Sequence, residues 1–155
     1  MREFKFRVWD VVEERMRIIA KLDFPAWIVC VCDDKLNYQC ERNSFQNQES
    51  DKLILMQYTC LKDKNGVEIY EGDIVRWGLG FTGNWDKESW HRYAVVELFP
   101  SLQFRIIYYV VGETGEKKET YNHVFEFGSF AYKETHKYLE VIGNIYENHE
   151  LLESK

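Results

Sequence analysis

The sequence has few of the features that mark linkers, exported proteins or membrane spans. Only two prolines, Pro25 and Pro100, occur in 155 residues, and no Gly/Ser-rich tract divides the chain. No apolar run approaches the ~20 residues that a membrane helix needs. The first ten residues alternate charged and aromatic side chains, which indicates a strand and not a signal peptide. We therefore expect a cytoplasmic protein with no membrane partner.

Metal-ligand spacing is also missing. A structural zinc site usually pairs cysteines with about two to four residues between them, so that one turn presents both thiolates to the ion. Cys30 and Cys32 have one residue between them in an apolar segment, and Cys40 and Cys60 stand apart. This pattern favours small buried side chains. None of the four histidines has a ligand-spaced partner, so the sequence predicts no metal and no cofactor.

Catalytic and nucleotide-binding patterns are equally weak. Gly78, Gly80 and Gly83 match the G-x-G-x-x-G spelling of dinucleotide loops. That use of glycine requires a helix just beyond the loop, where amide groups meet phosphate, and no helix is predicted there. Ser89 and His91 are close in sequence, but a nucleophile and its base need convergent geometry. We expect a protein that is not an enzyme.

Acidic residues outnumber basic ones, 26 Asp and Glu against 20 Lys and Arg, for a net charge of −6. Proteins that bind duplex nucleic acid gather Lys and Arg on one face, because phosphate neutralisation supplies most of the affinity. The acidic excess therefore argues against nucleic acid as a partner. Small barrels can nevertheless stack single-stranded bases on aromatic side chains, which leaves single-stranded nucleic-acid binding as the alternative function.

The residues that are present favour strands. Apolar residues make up 45% of the chain and aromatic residues 16%. A domain of this size can bury ~70% of the surface that its unfolded chain exposes. The aromatic residues alternate with polar residues more often than they fall at helical spacing, which predicts a mainly β protein.

Two tight turns are predicted within the segment from Thr59 to Val75. Asn65-Gly66 lies between strand-like residues and is typical of a type I′ hairpin turn, in which both central residues have positive φ. A second turn follows at Gly72-Asp73, because glycine adopts left-handed conformations without steric cost and Asp73 can bond its own backbone. These two turns predict the start of a small antiparallel barrel.

The least apolar stretch, Arg42 to Lys52, is predicted to be a loop that divides the chain. Residues 1–52 form a smaller N-terminal β subregion with a hairpin that turns at Val11 to Arg15. Residues 53–155 form an SH3-like antiparallel barrel, with a second long hairpin around Pro100-Ser101. A short C-terminal helix is expected to begin after Asn148 as its N-cap.

A loop rich in aromatic residues is the predicted contact surface. Trp77 follows a predicted strand and is assigned to the core. Phe81, Trp85 and Trp90 lie in the glycine-dense segment that follows. Exposed aromatic side chains on loops mark contact surfaces, since they offer a large area at little entropic cost. The alternative is that this loop folds over its own barrel.

Three blocks of sequence form a recognisable set: REFKFRVWD from Arg2, MQYTCLKDKNGVEIYEGDIV from Met56, and EVIGNIYEN from Glu140. The blocks resemble those of the YopX family, a group of small proteins encoded by bacteriophages and prophages. They occur in the family's order and bracket nearly the whole chain. The chain departs from the family pattern at Cys60, where the pattern has Gly, and at His149, where it has Pro.

The resemblance implies a mostly β fold with an SH3-like barrel, and self-association into a homo-oligomer. It implies no established activity, so no functional residue is carried over from the family. Together with the aromatic loop, it leads us to expect a phage or prophage accessory protein in the host bacterial cytoplasm. Its expected partners are a second copy of itself and a host or phage protein.

Overall fold

The computed structural model describes residues 4–23, 28–32, 41–44, 52–78, 90–111, 115–119, 123–128 and 138–153. For residues 28, 41–44, 90, 111 and 119 it describes the backbone alone. The chain divides into two compact units, Met1–Tyr58 and Thr59–Lys155. One long strand, Leu53–Lys62, begins in the first unit and ends in the second.

The first unit is an antiparallel sheet. In chain order its strands are β1 (Phe6–Asp10), β2 (Arg15–Asp23), β3 (Ile28–Cys32), β4 (Glu41–Ser44) and the first half of β5 (Leu53–Lys62). Their order across the sheet is β4-β3-β2-β1-β5. The core of this unit contains Val8, Val29, Val31 and Leu53, with Ile19, Leu22 and Leu55 packed against them.

A buried ion pair fixes the hairpin between β1 and β2. One carboxylate oxygen of Asp10 accepts hydrogen bonds from the backbone amides of Val12 and Glu13, both at 3.0 Å. The other oxygen accepts a bond from Nη1 of Arg17 at 3.1 Å. The side chains of Arg17 and Asp10 are only 5% and 7% exposed. Asp10 thus sets the turn with one oxygen and neutralises a buried cation with the other.

We predict that Arg17→Ala lowers the free energy of unfolding of the first unit by about 3–5 kcal/mol, because it leaves the Asp10 carboxylate buried without its cation. The control is Arg15→Ala. Arg15 pairs with Glu13 at 3.8 Å in an exposed setting, and such a pair contributes about 0–1 kcal/mol. Urea denaturation of the two variants tests this, and equal losses would contradict it.

The second unit begins with the end of β5, which pairs with β6 (Glu68–Tyr70). Its larger sheet is antiparallel, in the order β10-β9-β8-β7-β12, and β11 also pairs with β9. These strands are β7 (Asp73–Gly78), β8 (Trp90–Glu97), β9 (Gln103–Val111), β10 (Lys117–Glu119), β11 (Val124–Glu126) and β12 (Glu140–Asn144). A 3-10 helix, His149–Leu152, follows β12.

The core of the second unit lies against one face of this larger sheet. Alternate residues of β7, Val75 and Trp77, are buried there, because successive side chains of a strand point to opposite faces. The remaining buried members are contributed by neighbouring strands and by the residue before β12: Ile69, Ala94, Val96, Phe104, Ile106 and Leu139. Burying each large apolar side chain contributes about 1.5–3 kcal/mol.

The structure confirms the mainly β prediction, and both predicted hairpins are present. Within the described residues the strands form two antiparallel sheets that do not close into a barrel. The SH3-like description therefore stays a prediction, as does the boundary after Lys52. The predicted loop Arg42–Lys52 is partly wrong, since it contains most of β4. As an edge strand, β4 needs only backbone pairing on one side, and that tolerates polar side chains.

Candidate functional site

The predicted contact residues lie at the connection between β7 and β8. Phe81 and Trp85 fall outside the described residues. Trp90 is the first residue of β8, and only its backbone is described. The two strands pair up to the connection itself, with Gly78 opposite His91. The structure therefore locates both ends of the aromatic loop and describes the sheet from which it emerges.

A row of three side chains crosses the sheet beside this loop. Trp77 of β7 lies opposite Arg92 of β8, and Arg92 lies opposite Tyr109 of β9. Trp77 is 4% exposed and belongs to the core, as the sequence predicts. Directly opposite residues on one face of an antiparallel pair contact each other, so this row links the three strands just below the loop.

Arg92 lies among aromatic rings. Its guanidinium carbon is 5.8 Å from the ring centroid of Trp77, 5.9 Å from that of Tyr109 and 5.3 Å from that of Phe125. Its Nε is buried and has no hydrogen-bond partner in the part of the chain that the structure describes. Each cation–π contact of this kind contributes about 0.5–2 kcal/mol. Three aromatic rings therefore stabilise this cation.

Two further contacts complete this cluster, which we call the arginine–aromatic cluster (Trp77, Arg92, Tyr109, His123 and Phe125). The hydroxyl of Tyr109 and Nδ1 of His123 are 2.6 Å apart. The rings of Trp77 and Phe125 have centroids 5.7 Å apart. Sequence reasoning missed the cluster except for Trp77, because its members come from four separate segments and only the strand register brings them together.

The first predicted turn is built around the carboxylate of Asp63. Its Oδ1 accepts bonds from the backbone amides of Asn65 at 2.8 Å and Val67 at 2.9 Å. Main-chain bonds run from Asp63 N to Val67 O at 2.8 Å and from Gly66 N to Asp63 O at 3.0 Å. Asp63 is 6% exposed, so this carboxylate is an internal part of the hairpin.

The prediction of a type I′ turn is wrong. Among the described residues other than glycine, only Glu14 and Cys60 have positive φ, whereas type I′ requires it at both central residues. Here Gly66 alone has it, at +83°. The bond from Gly66 to Asp63 and this left-handed glycine are typical of a longer hairpin loop, a type I turn followed by a bulge.

The same carboxylate ties this hairpin to the C-terminal strand. Oδ2 of Asp63 accepts a bond from the backbone amide of Val141 at 3.1 Å. The neighbouring amide of Lys64 donates to the carbonyl of Leu139 at 2.9 Å. Two segments that are far apart in the sequence are thereby held together by one bond to a side chain and one bond between main-chain groups.

The second predicted turn contains the other left-handed glycine. Gly72 has φ of +79°, its amide donates to the carbonyl of Val96, and its carbonyl accepts from the amide of Ile145, both at 2.9 Å. Asp73 is fully buried, and its Oδ2 accepts from the amide of Tyr70 at 2.7 Å. Gly72 therefore connects the start of β7 with β8 and with the residue after β12.

We predict that Gly72→Ala is more destabilising than Gly66→Ala. Both residues have positive φ, which costs an L-residue about 1–2 kcal/mol and is offset in part by the smaller entropy of the unfolded alanine chain. A Cβ at Gly72 would also lie 3.3 Å from the Tyr146 ring, whereas a Cβ at Gly66 meets nothing within 4 Å. Chemical denaturation of both variants measures the difference, and a larger loss at Gly66 would refute the explanation.

Two asparagines organise the chain after β12. Oδ1 of Asn144 accepts from the amides of Tyr146 and Glu147, both at 3.0 Å. Asn148 precedes the 3-10 helix at the predicted N-cap position, but its side chain does not cap that helix. Its Oδ1 instead accepts from the amide of Asn144 at 3.2 Å. A Cβ at Gly143 would collide with this carboxamide, so any other residue there would force the Asn148 side chain to move away from the Asn144 amide.

An ion-pair network lies where β7 meets β12. Oε2 of Glu140 is 2.7 Å from Nε of Arg76 and 3.0 Å from Nζ of Lys64. The hydrogen bond from Arg76 lowers the pKa of Glu140 below its ordinary value, against an opposing effect of burial, and Lys64 adds to the lowering. The same bond raises the pKa of Arg76. These ion pairs add to the hydrogen bond by which Asp63 connects the hairpin loop with β12.

We predict that Glu140 makes the stability of the second unit acid-sensitive. A carboxyl group whose pKa is lowered on folding stabilises the protein above its unfolded pKa, and this stabilisation is lost as the pH falls through the folded value. The stability difference between the wild type and Glu140→Gln should therefore be largest near neutral pH and shrink in acid.

Thermal unfolding as a function of pH measures this difference. Glu126→Gln, at an exposed position on β11, is the control and should show a smaller effect on the pH profile. A difference between wild type and Glu140→Gln that stays constant with pH would contradict the assignment.

Two features are absent from the described residues, a group that could hold a metal ion and a helix that could span a membrane. Within the described residues, no group of three or more His, Cys, Asp or Glu side chains could hold a metal ion. Cys32 is buried, Cys30 is half-buried and Cys60 is exposed, and Cys30 and Cys32 form no disulfide. None of the described helices is long and apolar enough to cross a membrane.

Comparison with known proteins identifies a family and similar solved structures. A family model described as YopX protein matches residues 5–153. No curated protein matches the chain. The crystal structure of protein EF1440 from Enterococcus faecalis is similar to this structure, with a TM-score of 0.52 and 26% sequence identity, over 99% of this chain and 100% of that chain.

Proposed function

The chain belongs to the YopX family, and on that premise we propose that it is a non-enzymatic interaction module of a phage or prophage. It self-associates, and it binds a host or phage protein in the bacterial cytoplasm through the loop that carries Phe81 and Trp85 and through Trp90, which the structure places at the start of β8 and not in the loop. The proposal combines the family's implied self-association with the aromatic composition of one loop and the lack of a catalytic pattern in the sequence.

The observation that carries the proposal is the connection between β7 and β8. These strands are paired up to Gly78 and His91, and antiparallel neighbours of this kind need only about two to five connecting residues. Residues 79–89 stand in that place, and they include Phe81 and Trp85. A connection that is longer than its strands require, and rich in aromatic residues, supports a role in contact with a partner.

The arginine–aromatic cluster supports the same role, because Trp77 and Arg92 lie on the two strands that the loop connects. Arg92 is two residues from Trp90 on β8, and its cross-strand partner Trp77 is one residue before the end of β7. Packing among Trp77, Arg92 and Tyr109 fixes both strands from which the loop emerges. A binding loop on a rigid base loses less conformational entropy when it binds.

We predict that replacing both Trp85 and Trp90 with Ala removes self-association and partner capture while leaving the fold intact. The matched control is Phe99→Ala, which removes an aromatic side chain that is 86% exposed at the other end of β8. Sedimentation velocity measures self-association, and affinity capture from lysogenic cells with mass spectrometry measures partner binding.

Two results would argue against the proposal. The double variant could retain both the oligomer and the captured proteins, or Phe99→Ala could lose them to the same extent. Far-UV circular dichroism of each variant shows whether the fold is retained, so that loss of binding is not confused with unfolding.

Single-stranded nucleic-acid binding is the second candidate, and it has less support. It would use aromatic side chains as stacking platforms beside cations. On the face of the larger sheet that carries Arg76, Tyr93 stacks on Tyr108 at 4.7 Å, but Tyr108 is only 2% exposed, and burial raises its pKa. The net charge of −6 is also unfavourable. Salt-dependent binding of single-stranded oligonucleotides would promote this candidate.

A further inference from the structure

The hairpin loop between β5 and β6 brings together the groups needed for a spontaneous backbone reaction. We propose that Asn65 is a modification site, at which the side-chain amide is lost through a cyclic imide formed with the backbone nitrogen of Gly66.

Both residues are exposed. The side-chain amide of Asn65 makes no hydrogen bond to any of the described residues, in contrast with the backbone amide of the same residue, which is bound to Asp63 at 2.8 Å. Gly66 has no Cβ to shield its nitrogen, and nothing lies within 4 Å of the position that a Cβ would occupy. Within the described residues, no hydrogen bond therefore holds the Asn65 side-chain amide, and the Cβ side of Gly66 is open.

The reaction needs only water. The nitrogen of Gly66 attacks Cγ of Asn65, a C–N bond forms, and the bond from Cγ to Nδ2 breaks. The side-chain nitrogen leaves as ammonia, carrying the proton that the Gly66 nitrogen gives up. Water then opens the imide at either of its two carbonyl groups. The products are aspartate, or isoaspartate with the main chain routed through the former side chain.

The fold slows this reaction. The amide of Gly66 donates to the carbonyl of Asp63 at 3.0 Å, and this bond must break before the nitrogen attacks. The loop is also held by the Asp63 carboxylate. We therefore expect the modification in the folded protein, at a rate below that of the unfolded chain.

Asn144 is an internal control. It is 4% exposed, its Nδ2 donates to Glu147 at 2.6 Å, and the next residue is the β-branched Ile145, whose side chain hinders attack by its own nitrogen. The full chain contains both asparagines, so one digest compares them under identical conditions.

The test is to incubate the folded protein and the denaturant-unfolded protein at mildly alkaline pH and to follow peptides by mass spectrometry. We expect the folded protein to gain the mass change from amide to carboxyl at Asn65, with isoaspartate among the products, and no change at Asn144. Asn65→Gln should lose the signal, and Gly66→Ala should slow it. The proposal is wrong if folded protein stays unmodified at Asn65 while the unfolded chain is fully converted, or if Asn65→Gln retains the signal.

Discussion

The carboxylate of Asp63 accepts hydrogen bonds from three main-chain amides, those of Asn65, Val67 and Val141, and the second unit is arranged around it. Charge-assisted bonds of this kind contribute about 1.5–3 kcal/mol each. Two of them shape the loop between β5 and β6, and the third crosses to β12, 78 residues further along the chain. The middle and C-terminal blocks that mark the family meet at this side chain, so these two blocks specify contacts on which the fold depends.

Around Asp63, glycine residues allow sharp turns, and aspartate and asparagine side chains accept hydrogen bonds from backbone amides. Gly72 takes a left-handed conformation beside Tyr146, and Gly143 leaves room for the Asn148 carboxamide. Asn144 satisfies the amides after β12. Glycine is not essential at every left-handed position, because Cys60 has φ of +65° where the family pattern has glycine. Short polar side chains and glycine allow buried backbone groups to be satisfied within one or two residues of a sharp turn.

Much of the fold could be predicted from sequence, because the patterns that indicate strands and turns extend over only a few neighbouring residues. Alternating side chains predicted β5, β8 and β9, and both long hairpins followed from their turn residues. The turn at Asn65-Gly66 was located correctly but typed wrongly, since the Asp63 carboxylate determines the loop geometry. The strand β4 was missed because pairing at a sheet edge depends on a neighbour's backbone and not on the strand's own pattern.

The sequence by itself determined the β character, the positions of the turns and the family, because these depend on residue spacing and on backbone freedom over a few residues. Only the tertiary structure decided that Asp63 binds Val141 and that Arg92 lies among Trp77, Tyr109 and Phe125. Those contacts depend on strand order and register, which are fixed by packing between segments distant in the chain. The candidate contact loop was located by its composition, and the structure shows the paired strands β7 and β8 that it connects.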